Sequence, residues 1–334
     1  MTRDLFLPYY FNLAYRKNSP ISVTIELLTR CNLDCEHCYL PEHNNLGLNT
    51  GKLKEILSEL RNMGVMNISF TGGEIFLRDD LFELIDYARA LFMRVFLMSN
   101  GTILTIEQAE RLSKLSIAEF STTLFSLEQQ IHDRITRRDG SLERLLANLQ
   151  LLKDNNIRVR IKTPIMQSNV NSIKDIRSYC DKQGFVFSAS PVIYAKNDGN
   201  KSPTTLRAAK EHLHLAVKMM DEFEDRHENI LHKFDVPCAA LFCFFSIDSK
   251  GDVYPCNALF YKVGNIFESS LSDIWNYSKE LKYIKNIKCN DLSECNQCTY
   301  KDICERCPGM ALLDHGDILA CDTLAKAIAE IRAS

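Results

Sequence analysis

The chain has 334 residues, 46% of them hydrophobic, with 40 basic and 43 acidic side chains and a net charge of -3. This is enough for a full core and about two domains of roughly 100–200 residues each. The charge balance excludes a general pull toward nucleic acid or anionic membrane. The opening "MTRDLFLPYYFNLAYRKNSP" has no apolar run of signal-peptide type, and no stretch approaches about 18 uninterrupted apolar residues. A cytoplasmic location is therefore expected, with no nucleic-acid and no membrane partner.

Residues 1–20 read as an N-terminal extension. From residue 21 to about 194, short β-branched or aromatic runs alternate with segments of helical period, the pattern of βα units around a parallel sheet. Six strands are predicted: 21–29, 65–70, 94–99, 117–125, 157–165 and 184–194. Between them Leu53, Ile56, Leu57, Leu60 and Leu81, Leu84, Ile85, Ala88, Leu91 recur at helical spacing, as faces packing on a sheet should. The polar stretch "AKNDGNKSPTT" ends a core of residues 21–200, a linker helix spans 201–235, and a cysteine-rich domain occupies 236–334. There "IDSKGDVYP" predicts a hairpin around Ser249 to Asp252. The expected fold class is α/β, six βα units on a parallel sheet followed by a small cysteine-rich α+β domain.

The thirteen cysteines, in a reducing compartment, indicate metal or redox chemistry rather than disulfides. Directly after the first strand, "TRCNLDCEHCYLP" puts Cys31, Cys35 and Cys38 around one strand-to-helix loop, at the carboxyl end of the strands where parallel α/β proteins gather their active sites. The next cysteine, Cys180, lies 142 residues beyond Cys38 in a predicted helix. Three thiolates on an iron–sulfur cluster leave one iron without a protein ligand, and an open position is what a catalytic metal site keeps for substrate. A zinc site or a redox-sensing thiol group is the plain alternative for these three residues alone.

With "TGGE" (71–74), "MSNG" (98–101) and "FSLE" (125–128) at the ends of the next three strands, the chain resembles the radical S-adenosylmethionine (radical SAM) enzymes. The resemblance implies a [4Fe–4S] cluster on Cys31, Cys35 and Cys38, with SAM chelating the open iron. One electron then releases a 5′-deoxyadenosyl radical that takes hydrogen from the substrate. It also implies that His37, Thr71, Gly72, Gly73, Glu74, Ser99, Asn100 and Ser126 contact SAM, with Arg137 or Arg138 for its carboxylate. "SLEQQ" departs from the commonest family pattern here.

The C-terminal thiols follow the spacing C-x2-C-x5-C-x2-C from Cys295 to Cys307, with Gly251-x4-Cys256 ahead of it. This resembles the SPASM extension of radical SAM enzymes. The family resemblance carried by the cysteine motifs implies a partial (β/α)6 TIM-like barrel, open at one side and with its mouth covered by the C-terminal domain. The resemblance implies two auxiliary [4Fe–4S] clusters, one on Cys238, Cys243, Cys256 and Cys307, the other on Cys295, Cys298, Cys304 and Cys321. If either Cys238 or Cys243 is not a ligand, the first has an open iron; two zinc sites are the alternative. Of the remaining thiols, Cys180 is expected in a helix core, and Cys289 is a candidate hydrogen donor should the reaction be an epimerisation.

By resemblance the substrate is a ribosomally made precursor peptide, crosslinked or epimerised. The implied partners are a flavodoxin- or ferredoxin-type reductant and a separate peptide-recognition protein. A small molecule such as a sugar or tetrapyrrole, or a sulfatase, is the alternative substrate, and a zinc-stapled binding module is a third reading. Lys162, Asn169 and Tyr194, at or past strand ends, are candidates to line a substrate groove.

Overall fold

The computed structural model describes residues 12–223, 235–238 and 242–334. Most of the predicted N-terminal extension and the last part of the predicted linker helix lie outside them. All six predicted strands form, each trimmed to its paired centre: β1 (Ser22–Glu26), β2 (Asn67–Thr71), β3 (Arg94–Met98), β4 (Glu119–Thr123), β5 (Val159–Pro164) and β6 (Val186–Ser190). They pair in parallel, in sequence order. The sheet does not stop at β1. β7 (Phe244–Ile247) lies parallel to β1, and β8 (Asp252–Tyr254) and β9 (Gly264–Asn265) follow antiparallel, so the C-terminal hairpin continues the barrel sheet.

The helices are α1 (Thr50–Asn62), α2 (Leu81–Ala90), α3 (Ile106–Lys114), α4 (Gln129–Thr136), α5 (Ser141–Asp154) and α6 (Ile173–Gln183) within the barrel. Then come α7 (Lys210–Phe223), α8 (Leu271–Tyr277), α9 (Lys279–Asn286), α10 (Pro308–His315) and α11 (Thr323–Ala333). Their starts follow from local chemistry: Asn49 accepts from Lys52 N, and Thr105 with Gln108 forms a capping box. Cys180 is buried in α6 and shares one apolar cluster with Ile176, in keeping with the expected helix core.

Because side chains alternate across a strand, each strand has two faces of different character. Val23, Ile25, Ile68, Phe70, Val95, Leu97, Phe120, Val159 and Ile161 are buried in one apolar cluster with the helix residues Leu53, Leu57, Leu84 and Leu149. The opposite face brings Thr24 beside Ser69 and Ser246, Glu26 beside Thr71, and Ser121 beside Arg160. A closed TIM barrel fills this interior with branched apolar residues. Here the interior is largely polar, with Phe96, Met98 and Val186 as apolar members of the same face, so it is not filled as a packed barrel core.

Candidate active site

The three-cysteine loop is built by its neighbours. Leu27 and Leu28 are sealed in the core as the chain leaves β1. Thr29 N and Arg30 N donate to Asn45 O at 3.0 and 3.1 Å, and Asp34 N and Glu36 N donate to the carbonyls of Thr136 and Ile135 at 3.2 and 3.0 Å. Those carbonyls end α4 and have no partner within the helix, so the loop satisfies the helix terminus while the helix holds the loop. On the other side Gly73 N donates to Leu28 O and Glu74 N to Arg30 O, both at 2.9 Å. A Cβ on Gly73 would stand 2.2 Å from Thr29 O and 2.3 Å from Arg30 O. The predicted Gly-Gly element thus serves close approach, of one backbone to another.

Around the thiols, Leu33 N donates to Cys31 Sγ at 3.4 Å, Asn100 Nδ2 reaches the same sulfur at 3.8 Å, and His43 Nε2 lies 3.4 Å from Cys38 Sγ. Burial pushes the Cys38 thiol up to about 11. Burial raises Cys35 further, and the charges of Cys38 and Cys31 add to it. Three thiolates this close, and desolvated, repel one another until a multivalent cation neutralises them. That donor set fits an iron–sulfur cluster. Among the described residues no three His, Cys, Asp or Glu side chains close around a single ion; a cluster, in which each thiolate takes its own iron, asks for a wider frame.

The other predicted contacts are distributed unevenly. Glu74 is sealed: it accepts from Phe76 N at 2.9 Å, from Ser99 Oγ at 2.8 and 2.9 Å, and from Asn100 N at 2.8 Å. Burial raises its pKa to about 7 against those donors. It ties the β2 loop to the β3 loop, with Thr71 buried just ahead of it and Gly72 at φ 149° between. Ser126 is also sealed, sharing a hydrogen bond with Ser172 Oγ at 2.9 Å. Arg137, left-handed at φ 53°, and Arg138 are exposed at the end of α4, and Arg137 Nη1 pairs with Asp34 Oδ2 at 3.1 Å. His37 presents a partly exposed ring edge-on to Phe125, but its Nδ1 is buried without a partner, and burial lowers its pKa to about 4. Sequence reasoning passed over Asn32 and Thr102. Asn100 Nδ2 donates to Asn32 Oδ1 at 2.8 Å, and Asn100 Oδ1 accepts from Thr102 N and Oγ1 at 2.9 and 2.7 Å.

A cleft joins the cluster loop to the hairpin, lined by Glu26, Tyr39, Asn197, Asp248, Tyr254 and Asn257 among others. Tyr39 Oη donates to Glu26 Oε2 at 3.2 Å and Ser249 Oγ to Glu26 Oε1 at 3.0 Å. Burial raises the pKa of both Glu26 and Asp248. Lys162, also in the interior, has its pKa lowered by burial, and its Nζ reaches Met98 Sδ at 3.9 Å. Asn169, by contrast, is sealed as a loop brace, donating to Phe125 O and Pro164 O at 3.0 Å each.

The C-terminal thiols fall into two neighbourhoods. Burial first, then the charges of Asp322, Cys295, Cys321 and Cys298, push the Cys304 thiol up to about 11, so these cysteines lie near one another. Burial and then the charges of Cys307, Cys256, Asp322 and Cys238 raise the Tyr194 phenol, so those three cysteines lie near Tyr194, a few residues past β6. Helix α10 seals this region, since a Cβ on Gly309 would meet Ala258 O at 2.1 Å. Cys243 departs from the expected ligand set. It sits in the apolar core just before β7, its carbonyl accepting from Ile21 N and Ser22 N at the amino-terminal end of β1, and burial alone pushes its thiol to about 12. Cys289 lies near Cys295, its N–H donating to Asp235 Oδ1 at 3.2 Å.

Residues 25–180 match the radical SAM superfamily and residues 238–308 the SPASM iron–sulfur cluster-binding domain. The AdoMet-dependent heme synthase of Methanosarcina barkeri is 26% identical over 334 aligned residues, covering 90% of this chain and 95% of that protein. The antilisterial bacteriocin subtilosin biosynthesis protein AlbA of Bacillus subtilis is 32% identical over 272 residues, covering 77% of this chain but 60% of its own length. The crystal structure of Streptococcus suis SuiB bound to precursor peptide SuiA superposes with a TM-score of 0.68 at 18% identity, covering 93% of this chain and 78% of that one, and shows the shared fold. With the three-cysteine loop in place at the mouth of the barrel and the thiol-rich domain beyond it, the chain belongs to the radical SAM superfamily as an enzyme with a C-terminal SPASM domain.

Proposed function

We propose that this enzyme modifies a ribosomally made precursor peptide, by crosslinking it or epimerising one of its residues. Cys31, Cys35 and Cys38 would hold the SAM-binding cluster; when bound, cluster and SAM supply the radical that takes hydrogen from substrate. His37, Thr71, Gly72, Gly73 and Asn100 would frame SAM. Glu74, Ser99 and Ser126 would act behind them by fixing the loops, and Arg137 or Arg138 would meet the carboxylate. Cys295, Cys298, Cys304 and Cys321 would hold one auxiliary cluster. Cys238, Cys256 and Cys307 would hold the other through three thiolates. Cys289, near Cys295, would serve as hydrogen donor only in an epimerisation. A flavodoxin- or ferredoxin-type protein would supply the electron, and a separate protein would assist peptide recognition.

The observation that carries this reading is the polar interior opening at the three-cysteine loop, in a chain whose relatives include AlbA at 32% identity. Glu26, Asp248, Tyr39 and Tyr254 offer a substrate hydrogen-bonding groups and aromatic surface, and Lys162 adds a cation on the far wall. A second reading has its own support: the heme synthase matches over 95% of its length, which favours a tetrapyrrole substrate in the same interior. The test is anaerobic reconstitution, then SAM and reductant with candidate peptides encoded beside the gene or with a modified tetrapyrrole. Deuterium passing from a labelled peptide into 5′-deoxyadenosine, with a matching mass change, is the expected result. Transfer from the tetrapyrrole alone would overturn the peptide reading.

A further inference from the structure

We infer that His43 is a positioning residue for the three-cysteine site: its Nε2–H donates to Cys38 Sγ and so makes the cluster held there easier to reduce. The inference deepens the radical SAM reading and rests on it.

The contact is built. Segment 42–47 is pinned back on the chain just past β1 through Thr29, whose Oγ1 donates to Glu42 Oε1 at 2.8 Å and accepts from Asn45 N at 3.0 Å. Gly47, at φ 76°, packs so tightly on the same segment that a Cβ there would stand 1.8 Å from Leu27 O. That anchoring carries His43 over the loop, where Nε2 comes within 3.4 Å of Cys38 Sγ. On its far side Nδ1 lies 3.7 Å from Asp34 Oδ1, and Asp34 is held by Arg137 at 3.1 Å. The imidazole is therefore set between the Asp34 carboxylate and a sulfur that would be a thiolate once the cluster is bound. Cys31 and Cys38 receive backbone donors as well, from Leu33 and Leu40, but His43 is a side chain, and so can be changed without moving the loop.

The physical consequence follows from charge. Reduction adds a negative charge that is shared with the cluster's sulfurs, and a donor aimed at a ligand sulfur stabilises the reduced form more than the oxidised one. Loss of the donor must move the midpoint potential to more negative values. Groups behind the ligands tune metal sites in this way generally.

The test is a potentiometric titration of the reconstituted full-length protein, following the paramagnetic signal that changes on adding SAM, which identifies the N-terminal cluster among the three expected. His43→Leu is expected to titrate at a more negative potential. His43→Gln, which keeps an N–H donor, should fall closer to the parent. Protein labelled with 15N-histidine should show a weak hyperfine coupling that His43→Leu abolishes. Should His43→Leu fail to take up iron, His43→Gln and the labelled parent still decide the matter. An unchanged potential in His43→Leu, no histidine coupling in the parent, or a coupling strong enough for a direct iron–nitrogen bond would each overturn the inference. A protein with iron but no SAM-responsive signal would overturn the radical SAM reading along with it.

Discussion

Replacing Gly73 by alanine tests whether the Gly-Gly turn supports the cluster loop. At an unstrained position a Gly-to-Ala change stabilises by roughly 0.4–1 kcal/mol, through the unfolded chain. Gly73 has no positive φ, so backbone conformation gives no reason for loss. Space does: the added methyl would stand 2.2 Å from Thr29 O and 2.3 Å from Arg30 O, both backbone atoms that cannot swing aside. Relief requires the cluster loop to move by about an ångström, stretching the Gly73 N to Leu28 O and Glu74 N to Arg30 O bonds, now 2.9 Å each. Overpacking costs about 1–3 kcal/mol and two weakened buried hydrogen bonds about 1 kcal/mol each. The expected loss of about 3–5 kcal/mol is a large part of a typical total of 5–15 kcal/mol. Urea titration of the apoprotein measures it, and iron analysis after reconstitution should show the SAM-responsive cluster lost. A Gly73→Ala protein with the parent's midpoint and iron content would refute the packing analysis.

Three further outcomes follow from the same region and its neighbours. Glu74 has a folded pKa of about 7 against 4.5 unfolded, so the folded state binds more protons between those values. Its contribution is present in full below pH 4.5 and is lost as pH rises through 7, by about 3 kcal/mol; urea midpoints from pH 5 to 8 should show that slope, and Glu74→Gln should flatten it. Cys243→Ala should leave the iron content of the reconstituted protein unchanged, whereas Cys256→Ala should remove one cluster's iron. Asn100→Ala strands the buried Thr102 amide and the Asn32 Oδ1, while Asn32 Nδ2 keeps its bond to Thr102 Oγ1 at 2.9 Å, so it should destabilise by about 2 kcal/mol while leaving the helical circular dichroism intact.

The six barrel strands were readable because each is a short β-branched or aromatic run bounded by turn residues, and each helix has one periodic apolar face. β7 was not readable as a barrel strand. It pairs with β1 across 222 positions, Ser22 against Phe244, and nothing local in "FFSI" says which edge it will join. The same non-local step fixes where Cys243 lies. Spacing counts thiols, but only the pairing of β7 reveals that Cys243 lies at the amino-terminal end of the strands, beside Ile21, while Cys31 emerges at the other end. Glu74 illustrates a different limit: a motif fixes where a carboxylate lies in the chain, and says nothing about whether its oxygens face a cofactor or, as here, Ser99 and the Phe76 and Asn100 amides.

The polar interior gives the strongest reason to expect a large substrate deep in the barrel. Placing Glu119, Arg160, Lys162 and Glu26 on one face of the sheet is costly unless each finds partners. Part of that cost is met internally, since Arg160 Nε and Nη2 donate to the two oxygens of Glu119 at 2.7 and 3.0 Å. Toward the mouth such pairing thins out. Glu26 and Asp248 have hydroxyl and backbone donors and, among the described residues, no guanidinium paired with them, and burial raises their pKa values. Lys162, with its pKa lowered, has a methionine sulfur in reach of its Nζ. A fold selected for stability alone would fill these positions with valine and leucine, as the outward face of the same strands does. With Glu119 and Arg160 paired to each other at the far end of the strands, the buried carboxyl groups Glu26 and Asp248 lie toward the three-cysteine loop, already held in position where cofactor and substrate would enter.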